Sequence, residues 1–141
     1  MRSSSAFTLL EVLAVIAVMA VLAVVLGPTV GALVTRGQQV TVNQQTVKVQ
    51  EAINAWVAEQ PTLAASAAQF QAGPGGDLVP ADLTVFAGLI NHYFMTDNDS
   101  VKVANGHLTT DAMTRAGCYI DVIWPQPYRQ NYPHANLIRP N

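Results

Sequence analysis

The sequence predicts an α+β protein: a long N-terminal helix, apolar in its first half and amphipathic in its second, packed on a small antiparallel β-sheet head. Three observations carry this reading. Between Glu11 and Arg36 lie 24 residues without a charge. From Gly37 to Gln60 apolar residues recur at helical spacing. From Ser100 onward the pattern changes to short β-rich runs separated by turn residues, which places strands after helix rather than alternating with it.

The composition fits that division. Half of the 141 residues are hydrophobic and 11% are charged, against roughly 25% charged in a typical soluble domain. This argues against a disordered tail, an extended coiled coil or an electrostatic nucleic-acid binder. A net charge of −2 offers no basic excess to DNA or anionic lipid. The single cysteine excludes an intrachain disulfide. The hydrophobic excess is local: 24 of the first 36 residues are hydrophobic, against 47 of the remaining 105. In those 105, amides and hydroxyls supply most of the polarity: Asn, Gln, Ser and Thr number 28 and charged residues 13. Such a surface is less costly to desolvate against neighbours than a charged one.

The apolar segment is long enough to cross a bilayer, since a helix rises ~1.5 Å per residue and the hydrocarbon core is ~30 Å thick. Only Gly27, Pro28 and Gly31 interrupt it, and Pro28 predicts a kink or local melting near Gly27-Pro28. The short N-terminal flank and the large polar C-terminal part suggest an N-in, C-out orientation. Glu11 stands four residues into the apolar run that begins at Phe7. A carboxylate there is unfavourable by a few kcal/mol, which points to a function and a partner. The plainer alternative is solvation by headgroups at the interface.

The string Ser5-Ala6-Phe7-Thr8-Leu9-Leu10-Glu11-Val12 resembles the processing site of type IV pilins and pseudopilins. Pro28 and Arg36 extend the resemblance, falling where the type IVa branch carries them, so it covers roughly the first 36 residues. The resemblance implies a leader of residues 1–6, cleavage between Ala6 and Phe7 by a prepilin peptidase, and N-methylation of Phe7. It implies storage in the inner membrane before assembly and a place in a pilus or periplasmic pseudopilus afterwards. The partners are other pilin subunits and the inner-membrane assembly machinery. Glu11 would pair with the free amine of Phe7 on a neighbouring subunit and set its axial register, a role buried charge pairs are known to play. A break at Gly27 and Pro28 would let the helix stretch or bend during assembly. Three features depart from the family: Ala6 stands where Gly is usual, Ala20 replaces the mid-span Gly, and Val30 and Leu33 replace aromatic residues after the proline. The competing reading is a secreted or membrane-anchored binding module or hydrolase with a cleavable signal peptide, cut after Val30-Gly31-Ala32. Against it stand an h-region of about 20 residues, beyond the usual 7–15, and Glu11 inside it.

The chain therefore divides into a leader (1–6), a transmembrane and assembly helix (7–36) and a periplasmic or extracellular head (37–141). Within the head, Val42, Val49, Ile53, Trp56 and Val57 form one stripe of a helix over 37–60 that Pro61 ends. Residues 61–80, with Gly73-Pro74-Gly75-Gly76, read as a loop. Leu83, Phe86, Leu89, Ile90, Tyr93 and Phe94 suggest a second short helix, with a strand as the alternative. The sheet region covers 100–124: Asn105-Gly106 between Val101-Ala104 and His107-Thr110 signals a hairpin with a type I′ turn, and Cys118-Ile123 a central strand. Residues 125–141, with four prolines and no acid, read as an irregular tail.

No catalytic residue, cofactor or metal site is expected in the head. Cys118 reads as a buried thiol. His92, His107 and His134 do not fall at metal-ligand spacings. Asp97-Asn98-Asp99-Ser100 offers oxygen ligands for calcium but lacks the glycine and the terminal Glu of an EF-hand loop. Arg129 and Arg139 beside Trp124, Tyr128 and Tyr132 could stack single-stranded nucleic acid, but packing of the aromatics under the tail is the expectation. The protein reads as structural, not as an enzyme.

Overall fold

The computed structural model describes residues 8–94 and 99–140. Helix α1 spans Leu9–Glu59. Residues 1–37 and 38–141 form two separate units. In the first, every described side chain is exposed, including Leu9 at 79% and Val24 at 76%. The chain is helical through Gly27 and Pro28, so this stretch is not melted in this conformation. A proline removes a single donor, and the hydrogen bonds on either side carry the helix past it.

In the second unit the C-terminal part of α1 ends before Pro61. It is followed by α2 (Leu63–Ala67), β1 (Phe70–Ala72), β2 (Leu78–Pro80), α3 (Leu83–Asn91), β3 (Lys102–Ala104), β4 (His107–Thr109), α4 (Asp111–Arg115), β5 (Tyr119–Ile123) and β6 (His134–Ile138). Strands β3-β4-β5-β6 form an antiparallel sheet in chain order, and β1-β2 a separate hairpin. The fold is α+β, as the sequence pattern implies.

All five stripe residues of α1, from Val42 to Val57, are buried. They meet an aromatic core in which Trp56 and Phe86 stack edge-on at 5.5 Å, Phe70 and Phe86 at 5.4 Å, and Phe70 and Trp124 at 5.2 Å. Such pairs add about 0.5–1.5 kcal/mol each beyond area burial. Helix α3 supplies Phe86, Ala87 and Ile90, and its first turn is capped by Asp82, whose carboxylate accepts from the N–H of Thr84 at 2.8 Å and of Val85 at 3.1 Å. The β3-β4 turn has positive φ at both Asn105 (53°) and Gly106 (77°), the type I′ conformation that Asn-Gly favours.

Two expectations are corrected. Residues 61–80 are not a loop. They hold α2, capped by Thr62, and the β1-β2 hairpin, in which Gly73-Pro74-Gly75-Gly76 is the connection rather than a linker. Gly75 and Gly76 take φ of 81° and 91°, so the breaker turns the chain back on itself. The tail is not irregular throughout either: β6 pairs along the whole of β5, from Tyr119↔Ile138 to Ile123↔His134. Its residues lie between Pro133 and Pro140, so none of the tail's prolines interrupts the ladder.

Side-chain amides hold one end of each edge of the sheet. Gln50 of α1 donates from Nε2 to the Pro133 carbonyl at 2.9 Å and accepts at Oε1 from the Ala135 N–H at 2.7 Å. Asn91 does the same for Val101 just before β3, with both bonds at 2.7 Å. Each amide occupies backbone groups that an edge would otherwise offer to another chain. We expect Gln50→Ala and Asn91→Ala each to lower stability by about 1–3 kcal/mol, because part-buried backbone groups lose their partners. Denaturant midpoints of the two variants in detergent check this; unchanged midpoints would make the clamps incidental.

Candidate processing and assembly site

Of the residues that the sequence assigns to processing and assembly, Ala6 and Phe7 lie outside the described residues. The described chain begins at Thr8, immediately before α1. The Thr8 N–H and hydroxyl both donate to Glu11 Oε2, at 3.0 and 3.1 Å. In return the Glu11 N–H donates to Thr8 Oγ1 at 3.3 Å. This is a capping box, Thr at the N-cap and Glu three residues on, each satisfying the other's backbone donor.

The box accounts for how Glu11 is accommodated in a single chain. Its carboxylate lies in the first turn of α1, where the helix dipole is positive and the leading N–H groups have no intrahelical acceptor. Thr8 is the functional neighbour that the reading of the charge alone missed. Its signal was local: Thr-x-x-Glu ahead of an apolar run.

Gly27 and Gly31 need to be small for no reason within the described chain, since a Cβ at either would meet nothing within 4 Å. The adjacent stretch is helical and exposed, and Thr35 returns its hydroxyl to the Gly31 carbonyl at 3.0 Å. Helix α1 is long and apolar enough to cross a membrane, with a mean hydropathy of 3.0 over its most apolar 18 residues, none of them buried.

The head's candidate chemistry is placed as follows. Cys118 is half-buried rather than inside the strand: it precedes β5, packs at the margin of the core and points its thiol at the Ala116 carbonyl at 3.5 Å. The residue before it, Gly117, has φ 68°, so the chain turns into β5 only after Cys118. His107 stacks on Tyr119 at 3.9 Å between centroids, with its Nδ1 3.2 Å from Asp121. His92 follows α3 and His134 opens β6, both exposed. Asp97 and Asn98 lie outside the described residues. Asp99 uses both carboxylate oxygens on the start of α4, accepting from the N–H of Asp111 at 2.8 Å and of Ala112 at 3.2 Å. Burial pushes its pKa up, but these bonds, with those from the Ser100 N–H and Thr110, outweigh it and hold the carboxyl below its ordinary value. Among the described residues no group of three or more His, Cys, Asp or Glu is placed to hold a metal. Trp124 is fully buried and Tyr128 packs against it at 5.8 Å, while the Arg129 guanidinium lies 6.0 Å from the centre of the Tyr128 ring, so Trp124 itself is not exposed to stack a base. Arg139 donates to Asn43 at 2.9 Å.

Residues 1–27 match the family described as the prokaryotic N-terminal methylation motif. No curated protein and no solved structure matches the chain. The matched segment holds Ala6, Phe7, Thr8 and Glu11 and enters the apolar part of α1, so the N-terminus carries the methylation signature of the type IV pilin and pseudopilin family.

Proposed function

We propose that the chain is a structural subunit, a pilin, minor pilin or pseudopilin, of a type IV pilus or a related type II secretion or competence filament. The observation that carries this reading is the methylation motif leading directly into an exposed apolar helix. A prepilin peptidase cuts between Ala6 and Phe7, the new amine of Phe7 is methylated, and the helix holds the subunit in the inner membrane, N-in, until assembly. In the filament the apolar helices pack side by side. Glu11 there leaves, or shares, its capping box to meet the Phe7 amine of a neighbour, which fixes axial register. Gly27 and Pro28 give the helix a place to bend or stretch as it leaves the membrane.

The proposal is tested at the N-terminus of protein recovered from its native host. Mass spectrometry is expected to find N-methylated Phe7 as the first residue. An intact Met1 would overturn processing. A start at Leu33 would favour the secreted or membrane-anchored module with a signal peptide cut after Ala32.

A further inference from the structure

The first backbone hydrogen bond of α1 runs from the Val12 N–H to the Thr8 carbonyl at 3.3 Å. Thr8 is therefore the N-cap, whose carbonyl opens the ladder while its side chain serves the first turn. Its hydroxyl accepts from the Glu11 N–H at 3.3 Å, and Glu11 Oε2 accepts from the Thr8 N–H at 3.0 Å. In a helix continued upstream, the Thr8 N–H would donate to the carbonyl four residues earlier, that of Ser4. The Glu11 carboxylate takes that donor instead. The box is thus a stop as well as a cap.

Only Phe7 separates this stop from the Ala6–Phe7 bond assigned to processing. Cutting that bond adds water between the Ala6 carbonyl carbon and the Phe7 nitrogen, leaving a carboxyl on Ala6 and an amine on Phe7. In a helix continued upstream the Ala6 carbonyl would accept from the Leu10 N–H, closed to a catalytic water and to the extended backbone that a peptidase takes up. The sequence makes such a continuation available. Ser5 stands three residues before Thr8, and serine is among the preferred N-caps. A glutamate at position 8 would complete a second box, Ser-x-x-Glu, around Ala6 and Phe7. Threonine there does not.

We infer that Thr8 is a positioning residue for leader cleavage: with Glu11 it stops α1 short of the Ala6–Phe7 bond and keeps the Ala6 carbonyl open to the peptidase. The inference rests on the processing reading above and adds a regulating element to it. The point where the helix starts, and not only the small residue before the cut, sets how fast the leader is lost. Thr8 acts through the Ala6 carbonyl and takes no part in the hydrolysis itself.

The test follows leader loss from the full chain in detergent micelles, incubated with the prepilin peptidase of its native host, by mass spectrometry of the intact protein. Thr8→Asp and Thr8→Glu carry the same charge at the same place. Aspartate caps at position 8 and keeps the stop, whereas glutamate moves the box to Ser5. Thr8→Asp is expected to be cut within about twofold of the native rate, and Thr8→Glu about tenfold more slowly. Adding Ser5→Ala to Thr8→Glu removes the second cap and is expected to restore the rate to within about threefold of native. Thr8→Ala gives Ser5 no glutamate and is expected to be cut to completion. Before the enzyme is added, the ¹³Cα shifts of Ala6 and Phe7 are expected to turn helical in Thr8→Glu and not in Thr8→Asp. Equal rates for the aspartate and glutamate variants, or no recovery with Ser5→Ala, overturn the inference and leave the cut at Ala6–Phe7 standing. A native chain that the peptidase does not cut at Ala6–Phe7 removes the processing reading itself, and the inference with it.

Discussion

Trp124→Ala is expected to lower the stability of the head by about 3–5 kcal/mol, the range for deleting a large buried aromatic side chain. Trp124 is fully buried, one of the largest such side chains in the head. Its ring meets Phe70 at 5.2 Å and Tyr128 at 5.8 Å, both edge-on. Its indole N–H donates to the carbonyls of Asn131 at 2.8 Å and Tyr128 at 3.2 Å, holding the segment between β5 and β6 against the core. Its backbone joins the β1-β2 hairpin to the main sheet through Leu78. Alanine keeps the backbone bridge, opens a cavity between three elements and leaves two carbonyls without the indole donor. Since whole domains are stable by only about 5–15 kcal/mol, this loss removes a large fraction of the total. Trp124→Phe keeps most of the volume and loses the donor, and is expected to cost about 1–3 kcal/mol. Hydrogen exchange at the amides of β5 and β6 reads both variants without interference from the apolar helix. A loss below about 1 kcal/mol for alanine would mean that the hairpin is not coupled to the sheet through this residue.

The parts of this fold that the sequence made legible are those with a local physical cause. The Val42–Val57 stripe is buried because helical spacing puts those residues on one face, and Asn105-Gly106 forms its turn because two successive positive φ angles suit few other pairs. The parts that were hidden depend on distant residues. The three-residue strands β1 and β2 are too short to show alternation. Strand β6 sits among prolines and owes its place to β5 and to Gln50, 85 positions away from Ala135. The candidate site divides in the same way. Glu11 stands out as a lone charge in an apolar run, and its capping partner Thr8 was readable from the spacing. The place of Asp99 was not, because it accepts from the start of α4, 12 positions along the chain.

Glu11→Val is expected to leave membrane insertion intact and to reduce incorporation into filaments by about a hundredfold, and the capping box makes the cause separable. Glu11 has two distinct roles to lose: the acceptor that closes the first turn of α1, and the charge available to a neighbour's amine. Valine removes both. Glutamine keeps an acceptor for the Thr8 N–H, since a capping box accepts Gln as well as Glu, but carries no charge. Thr8→Ala removes the hydroxyl half of the box and keeps the charge. If register depends on the charge pair, Glu11→Gln fails as Glu11→Val does, because a neighbour's buried amine left unpaired is unfavourable by about 3–5 kcal/mol, which exceeds a hundredfold in association. Thr8→Ala then incorporates at close to the native level, with only the roughly 1 kcal/mol loss of a cap. If capping alone matters, the order reverses: glutamine assembles and Thr8→Ala is impaired. The measurement is the ratio of subunit in sheared filaments to subunit in the membrane fraction for the three variants. Native incorporation of Glu11→Gln would remove the charge pair from the assembly step and leave Glu11 as the first-turn acceptor of an apolar helix.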